Sequence, residues 1–436
     1  MLFAQTAGRA PGVQAARRKL LSARWTYILG ILGPGLVAAA AGDDGGGIAT
    51  YASIGAKYGY DLCWLMVYIT LSVFIVQEMC ARMGAVTGKG LSALIRDEYG
   101  IHWTVFAVVC ILVANGATTV SEFVGLAAAL ELFGVSKYLS VPIFAVAIWW
   151  MVVKGSYHRV ERVLLLLTLP FLSYFVAAVR AHPDWNAVVH HSLVPTFHTD
   201  PTYIMLFVAT IGTTITPYMQ IIQQSTVVEK AITVKTYRHE WWDVLTGVLL
   251  ANFISLAIIV ATAATLFKVG VHDIGSAADA ARALEPVAGH YAYMLFGIGL
   301  LGASTLAAAV LPLSTAFSYA ESFGLKAGVH YEFREARAFY LMFTALIVIG
   351  AGVTLIPGLD LVRVLVLVQA VNGVLLPALL VFMTLLSSNK RLMGEHRTSG
   401  LKLWAAWATT IIVGLFAAWL LVVSLAPMFG VKLPGG

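Results

Sequence analysis

The side chains in this sequence whose types suit ion chemistry lie inside apolar segments. Asp43 and Asp44 stand together in Gly42-Asp43-Asp44-Gly45-Gly46-Gly47, within an apolar stretch running from about Trp25 to Tyr58. Thr213 and Thr216 precede Pro217 in a second such stretch, and Glu122 lies in the middle of a third. Gln369 and Asn372 are one helical turn apart in a fourth. These residues offer carboxylate, hydroxyl and amide oxygens, the donors that suit Mg²⁺, Ca²⁺ and Mn²⁺. A carboxylate at mid-membrane depth is costly and ordinarily marks an ion path.

The elements that must position these groups follow from composition. Of 436 residues, 59% are hydrophobic and 11% charged. A soluble domain carries about 25% charged residues, so the chain reads as a polytopic membrane protein embedded in a lipid bilayer. The net charge of +6 does not indicate nucleic acid, because the basic residues sit in short connections between apolar runs. Cys63, Cys80 and Cys110 show no paired metal-ligand spacing and read as buried small hydrophobes. The basic arm carrying Arg9, Arg17, Arg18, Lys19 and Arg24 precedes an apolar segment too long for a signal peptide, so it leads into an uncleaved first span.

A helix needs about 20 apolar residues to cross a bilayer. Such stretches lie near 26–57 (broken), 61–84, 103–133, 138–154, 158–180, 202–228, 241–268, 290–321, 336–356, 361–387 and 401–427, which makes eleven spans. The longest polar stretches are 182–200 and 270–288. Most of the 28 Lys and Arg fall on one predicted side, in clusters such as Arg82, Lys89 and Arg96 or Lys390, Arg391 and Arg397. By the positive-inside rule the N-terminus is cytoplasmic and the C-terminus extracellular, in a multi-pass protein of the cell membrane. The organisation expected is a cytoplasmic arm (1–24), five spans (25–181), an outer loop (182–200), five further spans (201–388), and an inner loop with the last span (389–436).

Two spans carry interruptions. Acids followed by three glycines are a poor continuation for a lipid-surrounded helix, because glycine weakens the helix and frees backbone groups. In Ile211-Gly212-Thr213-Thr214-Ile215-Thr216-Pro217-Tyr218, proline removes a donor and clashes with the preceding turn. The breaks fall in spans 1 and 6, at corresponding positions of two five-span halves. That pattern predicts an all-α, LeuT-type inverted repeat of five plus five helices, with an eleventh outside it. Carbonyls freed at the half-helix ends, a carboxylate and hydroxyls would then surround a cation.

These stretches resemble the Nramp family of divalent-metal transporters. Gly33-Pro34-Gly35 and Asp44-Gly45-Gly46-Gly47-Ile48-Ala49-Thr50 are similar to that family's first span with its Asp-Pro-Gly-Asn motif. Tyr58-Gly59-Tyr60, the loop Ala81-Arg82-Met83-Gly84-Ala85-Val86-Thr87-Gly88-Lys89-Gly90-Leu91, the segment from Ile211 to Pro217, and Gln369 eight residues before Pro377 extend the resemblance over most of the repeat. The departures are specific. Gly47 stands where the motif has asparagine, Thr216 where it has methionine and Tyr218 where it has histidine. In span 3, Thr119 and Glu122 occupy positions where the family usually carries an aspartate and a glutamate.

The resemblance implies that Asp44, Thr213, Thr216, Gln369 and the backbone carbonyl of Ala41 hold the ion. Asp43, Gly47, Thr119, Glu122, Tyr218 and Asn372 would line the cavity around it. Loss of the thioether removes the soft ligand, and smaller side chains widen the pocket. Mg²⁺ parts with water reluctantly and suits a roomy site of few carboxylates. This matches the Nramp-related magnesium transporters. The expected function is uptake of Mg²⁺, and of Mn²⁺ with it, by alternating access without proton coupling and without a resident cofactor. The alternative is a proton-coupled Mn²⁺/Fe²⁺ transporter. From another class, a membrane metal sensor or membrane-embedded enzyme would require a signalling domain or a nucleophile–base pair, and neither is visible. His182, His190, His191 and His198 read as a solvated outer loop, and Glu78 with Arg82 as a helix-stabilising pair at the inner end of span 2.

Overall fold

The computed structural model describes residues 44–154, 169–329 and 331–426. The first half of the first span, the basic arm, the first half of the fifth span and the C-terminal ten residues lie outside the described residues. So do Ala41 and Asp43.

The described chain is helical, without strands. Its principal helices are α1 (Gly45–Tyr58), α2 (Cys63–Thr87), α3 (Leu91–Tyr99), α4 (Ile101–Glu131), α5 (Lys137–Val153), α6 (Ser173–Arg180) and α7 (Pro201–Thr214). They continue with α8 (Pro217–Glu229), α9 (Tyr237–Thr265), α10 (Ala292–Ser322), α11 (Arg337–Thr354), α12 (Leu361–Ser388) and α13 (Gly400–Leu425). Among the described residues, eight helical segments are long and apolar enough to cross a membrane, and α5 is a shorter apolar helix. Their bounds agree with the expected spans to within a few residues. The polar stretches contain more structure than expected: Trp185–Leu193 is a helix, because Asp184 accepts from the amides of Asn186 and Ala187. Residues 270–288 likewise hold the short helices Ala277–Ala281 and Glu285–Ala288.

The sixth span breaks where the sequence predicts. Asp200 accepts from the amide of Tyr203 and Pro201 opens α7, a favourable start because a first-turn proline has no amide to leave unpaired. Helix α7 ends at Thr214; Thr216 is extended (φ −64°, ψ 140°), the conformation that a following proline imposes. Pro217 then opens α8. In the same way Asp44 is extended (φ −70°, ψ 172°) and opens α1. Both helices thus begin after an extended N-cap residue, and only Asp44 adds a side-chain hydrogen bond to the cap.

Burial separates the helices by role. In the apolar window of residues 201–229, 94% is buried, against 28% in 400–425. Helices α1, α7 and α8 are largely buried, and α13 turns Leu401, Trp404 and Leu415 outward, as a lipid-facing helix does. Central helices approach closely through small residues. A Cβ on Gly212 would collide with the backbone of Gln369 and Gly373, and one on Gly373 with the carbonyl of Val208. Helices α7 and α12 therefore cross nearly backbone to backbone, the close approach that small residues allow in membranes.

Candidate metal site

The N-terminus of α1 is where the site residues meet. Its first amides point out of the helix unpartnered by the helix itself and carry partial positive charge. Two carboxylates take them. Asp44 Oδ1 accepts from the amide of Gly47 at 2.6 Å, and Glu122 Oε2, reaching across from α4, accepts from the amide of Gly45 at 3.3 Å. Both carboxylates are fully buried. Asp44 is thus the helix cap and the central acid of the cluster at once.

Helix α12 supplies the next layer. Gln369 Nε2 donates to both carboxylate oxygens of Asp44, at 3.1 and 3.3 Å. Asn372 Nδ2 donates to Gln369 Oε1 at 2.9 Å and to Thr118 Oγ1 at 2.8 Å. The chain Thr118–Asn372–Gln369–Asp44 joins α4, α12 and α1. In this arrangement Gln369 presents its nitrogen to Asp44 and its oxygen to Asn372, so ligation of a cation through Oε1 requires a half-turn of the amide.

Two glycines make this approach possible. A Cβ on Gly46 would collide with the Gln369 amide and stand 2.9 Å from Ser121 Oγ. One on Gly45 would stand 2.6 Å from Ser304 Oγ on α10. Gly47 contributes its amide to Asp44.

At the second break, Pro217 has no amide to give to the carbonyl of Thr213, its acceptor four residues back. That carbonyl receives a long 3.5 Å contact from Thr216 Oγ1. The hydroxyl of Thr213 is buried and meets no hydrogen-bond partner. Thr216 is fully buried, and its hydroxyl turns back to its own chain, the usual habit of threonine in membrane helices. Tyr218 is buried and packs with Met219, Ala307 and Leu311.

Thr119 lies apart from this group. Its hydroxyl returns to the carbonyl of Asn115 at 2.7 Å, and its methyl would stand 2.9 Å from a Cβ on Gly350 of α11. Its neighbour Thr118 reaches Asn372 instead. Thr118, Ser121, Glu122 and Gly125 recur at helical spacing on one stripe of α4, a period visible in the sequence that sequence reasoning missed. Ser304, Gln77 and Asn252 were also missed; isolated polar residues in long apolar helices carry no period.

Away from the site, Glu78 and Arg82 form the expected pair at 3.1 Å, extended by Tyr237, which donates to Glu78 at 2.8 Å. His191 and His198 close on Asp61 at 3.2 and 2.8 Å. All three cysteines are buried and free. Among the described residues no three His, Cys, Asp or Glu side chains converge.

Comparisons with known proteins agree with this architecture. A family model described as natural resistance-associated macrophage protein-like (Nramp) matches residues 35–423. The divalent metal cation transporter MntH of Klebsiella pneumoniae subsp. pneumoniae is 28% identical over 404 residues, covering 91% of this chain and 95% of that protein. The protein of the same name from Yersinia pestis is 27% identical, covering 94% and 98%. Among solved structures, a manganese transporter of Eremococcus coleocola superposes with TM-score 0.72 at 19% identity, over 94% of this chain and 90% of that one. MhsT in complex with L-phenylalanine superposes with TM-score 0.58 at 15% identity, over 89% and 97%. These structural likenesses establish the fold.

Proposed function

Because this chain belongs to the Nramp family, we propose that it is a secondary transporter that carries divalent cations into the cytoplasm, moving Mg²⁺ and Mn²⁺. The observation that carries this reading is Asp44, a fully buried carboxylate capping a half-helix beside a second broken span. The ion would bind Asp44, the carbonyls of Thr213 and Ala41, the hydroxyl of Thr216 and, after rotation of its amide, Gln369. Asp43, Gly47, Glu122, Tyr218, Asn372 and Thr119 would border the cavity. Alternating access would turn on the breaks in spans 1 and 6, between repeats of residues 25–181 and 201–388, with the N-terminus inside and the C-terminus outside.

The preference for Mg²⁺ rests on the donor set. Thr216 and Gly47 leave neither a thioether nor a side-chain amide at those positions, and oxygen donors suit an ion that keeps part of its water. Entry of a divalent ion gains about 4.6 kcal/mol from 100 mV, inside negative, which suffices to drive uptake without protons.

A second reading, a proton-coupled Mn²⁺ or Fe²⁺ transporter, is favoured by the names of the relatives and by Glu122, a second buried acid within reach of the same helix terminus. Uptake into proteoliposomes loaded with a pH dye separates the two. Mg²⁺ entry without internal acidification is expected. Acidification that tracks cation entry, or Mn²⁺ uptake untouched by a large excess of Mg²⁺, selects the second reading.

A further inference from the structure

Beside the break in the sixth span, α1, α2, α7, α8 and α9 line a chamber of about 20 Å³. Gln77, Thr213, Thr214, Asn252 and Ser255 give it a polar wall, and Tyr51, Val73, Met219, Val248 and Ala251 complete the lining. Three of the polar groups are buried without a hydrogen-bond partner: the amide nitrogen of Gln77, the hydroxyl of Thr213 and the amide oxygen of Asn252. Their neighbours are engaged. Thr214 Oγ1 donates to the carbonyl of Thr210, Ser255 Oγ to that of Ala251, and Asn252 Nδ2 to that of Val248.

We propose that this chamber is a site for one water molecule held by Gln77, Thr213 and Asn252, and that a hydration water of the transported cation fills it. A buried water needs about 10–15 Å³ and two to four polar partners, and the chamber supplies one molecule's worth of both. The complement is also correct: a water accepts from Gln77 Nε2, donates to Asn252 Oδ1 and exchanges either way with Thr213 Oγ1. No carboxylate lines the chamber, so it is a poor seat for the cation itself. Thr213 connects it to the ion site, because its own carbonyl is the one freed by Pro217, and adjacent Gly212 rests on the backbone of Gln369. An ion at the break therefore has, one residue away, a polar place for a water that it does not shed.

The second half of this inference rests on the functional reading above, and two measurements keep them separate. A density map of the full chain that resolves waters is expected to show one peak within hydrogen-bond distance of Gln77, Thr213 and Asn252; an empty chamber overturns the water site, whatever the protein transports. Asn252→Leu, which fills the chamber with hydrocarbon, is expected to raise the KM for Mg²⁺ about tenfold and that for Mn²⁺ much less, since Mg²⁺ holds its water more tightly. Gln77→Leu repeats the test if the first variant does not fold, and Asn252→Ser, which restores a polar wall, is expected to recover the Mg²⁺ value. Equal changes for both ions overturn the link to hydration. Failure of the unmodified chain to move either ion removes the functional reading alone, and the density then decides the water site.

Discussion

Gln369 holds both carboxylate oxygens of Asp44 through a single amide nitrogen, across 325 residues of sequence. Its own oxygen is held by Asn372, so the amide is fixed as a donor towards the acid. On the proposed function, a cation binding at Asp44 would displace or share the bonds this carboxylate makes to the helix terminus and to the amide. Binding would then be an exchange, which can be reversed on the other side of the membrane.

Asp44→Ala is expected to abolish uptake. Removing the charged member of a buried hydrogen-bonded cluster costs about 2–5 kcal/mol, which corresponds to roughly 30-fold to several-thousand-fold in affinity. Calorimetric titration with Mg²⁺ and with Mn²⁺ checks this, and retention of either affinity rules out Asp44 as the central ligand.

Asn372→Ala frees Gln369 Oε1 without touching Asp44. A partner that orients a ligand typically contributes about 10–100-fold to metal affinity. A loss in that range is expected, with thermal stability changed little. An unchanged binding constant would show that the orientation of Gln369 is irrelevant to the ion.

Gly46→Ala places a methyl group into the Gln369 amide. Overpacking of this kind costs about 1–3 kcal/mol. Denaturation of the detergent-solubilised protein should report that loss, and cation uptake should fall further than stability does because Asp44 loses its donor. Wild-type uptake in this variant contradicts the contact.

Thr216→Met returns a thioether to the second break. Soft ions gain from sulfur and hard ions do not. The ratio of Cd²⁺ to Mg²⁺ uptake is expected to rise at least several-fold; an unchanged ratio sinks the account of selectivity through this position.

At the outer end of the sixth span, Asp200 caps α7 and accepts from the hydroxyl of Tyr58 at 2.5 Å. Partial burial pushes its carboxyl up, but the bonds from Tyr58 and the Tyr203 amide and the proximity of His198 outweigh this and hold it below the ordinary 3.8. A depressed acid adds stability that is fully present above its unfolded value and lost as pH falls through the folded one. Acid unfolding curves should therefore shift for Asp200→Asn below pH 3.8 relative to neutral pH, where the variant shows its full deficit. A deficit of equal size at all pH values excludes the carboxylate as its source.

Much of this architecture is legible in the amino-acid order. Apolar lengths mark the spans, Pro217 ends one half-helix and opens the next, and the acids and glycines at 43–47 mark where another begins. These are local effects, decided by a missing amide, a missing Cβ or a run of hydrocarbon. Which of Asp43 and Asp44 serves the helix is not decided locally; the structure shows Asp44 at the cap.

What only the tertiary structure decides is which polar groups meet. Helical period places Thr118 on the stripe of Ser121 and Glu122, but only packing shows that it meets Asn372 while Thr119 meets Gly350. Gln369 reads as an oxygen donor until its neighbour Asn372 orients it as a nitrogen donor. Gln77, Thr213 and Asn252 come from three separate helices and acquire a common role only by sharing one small chamber. The physical reason is that spans are specified by solvent exclusion along the chain, whereas hydrogen bonds within a few ångströms depend on how close the glycines let those spans approach.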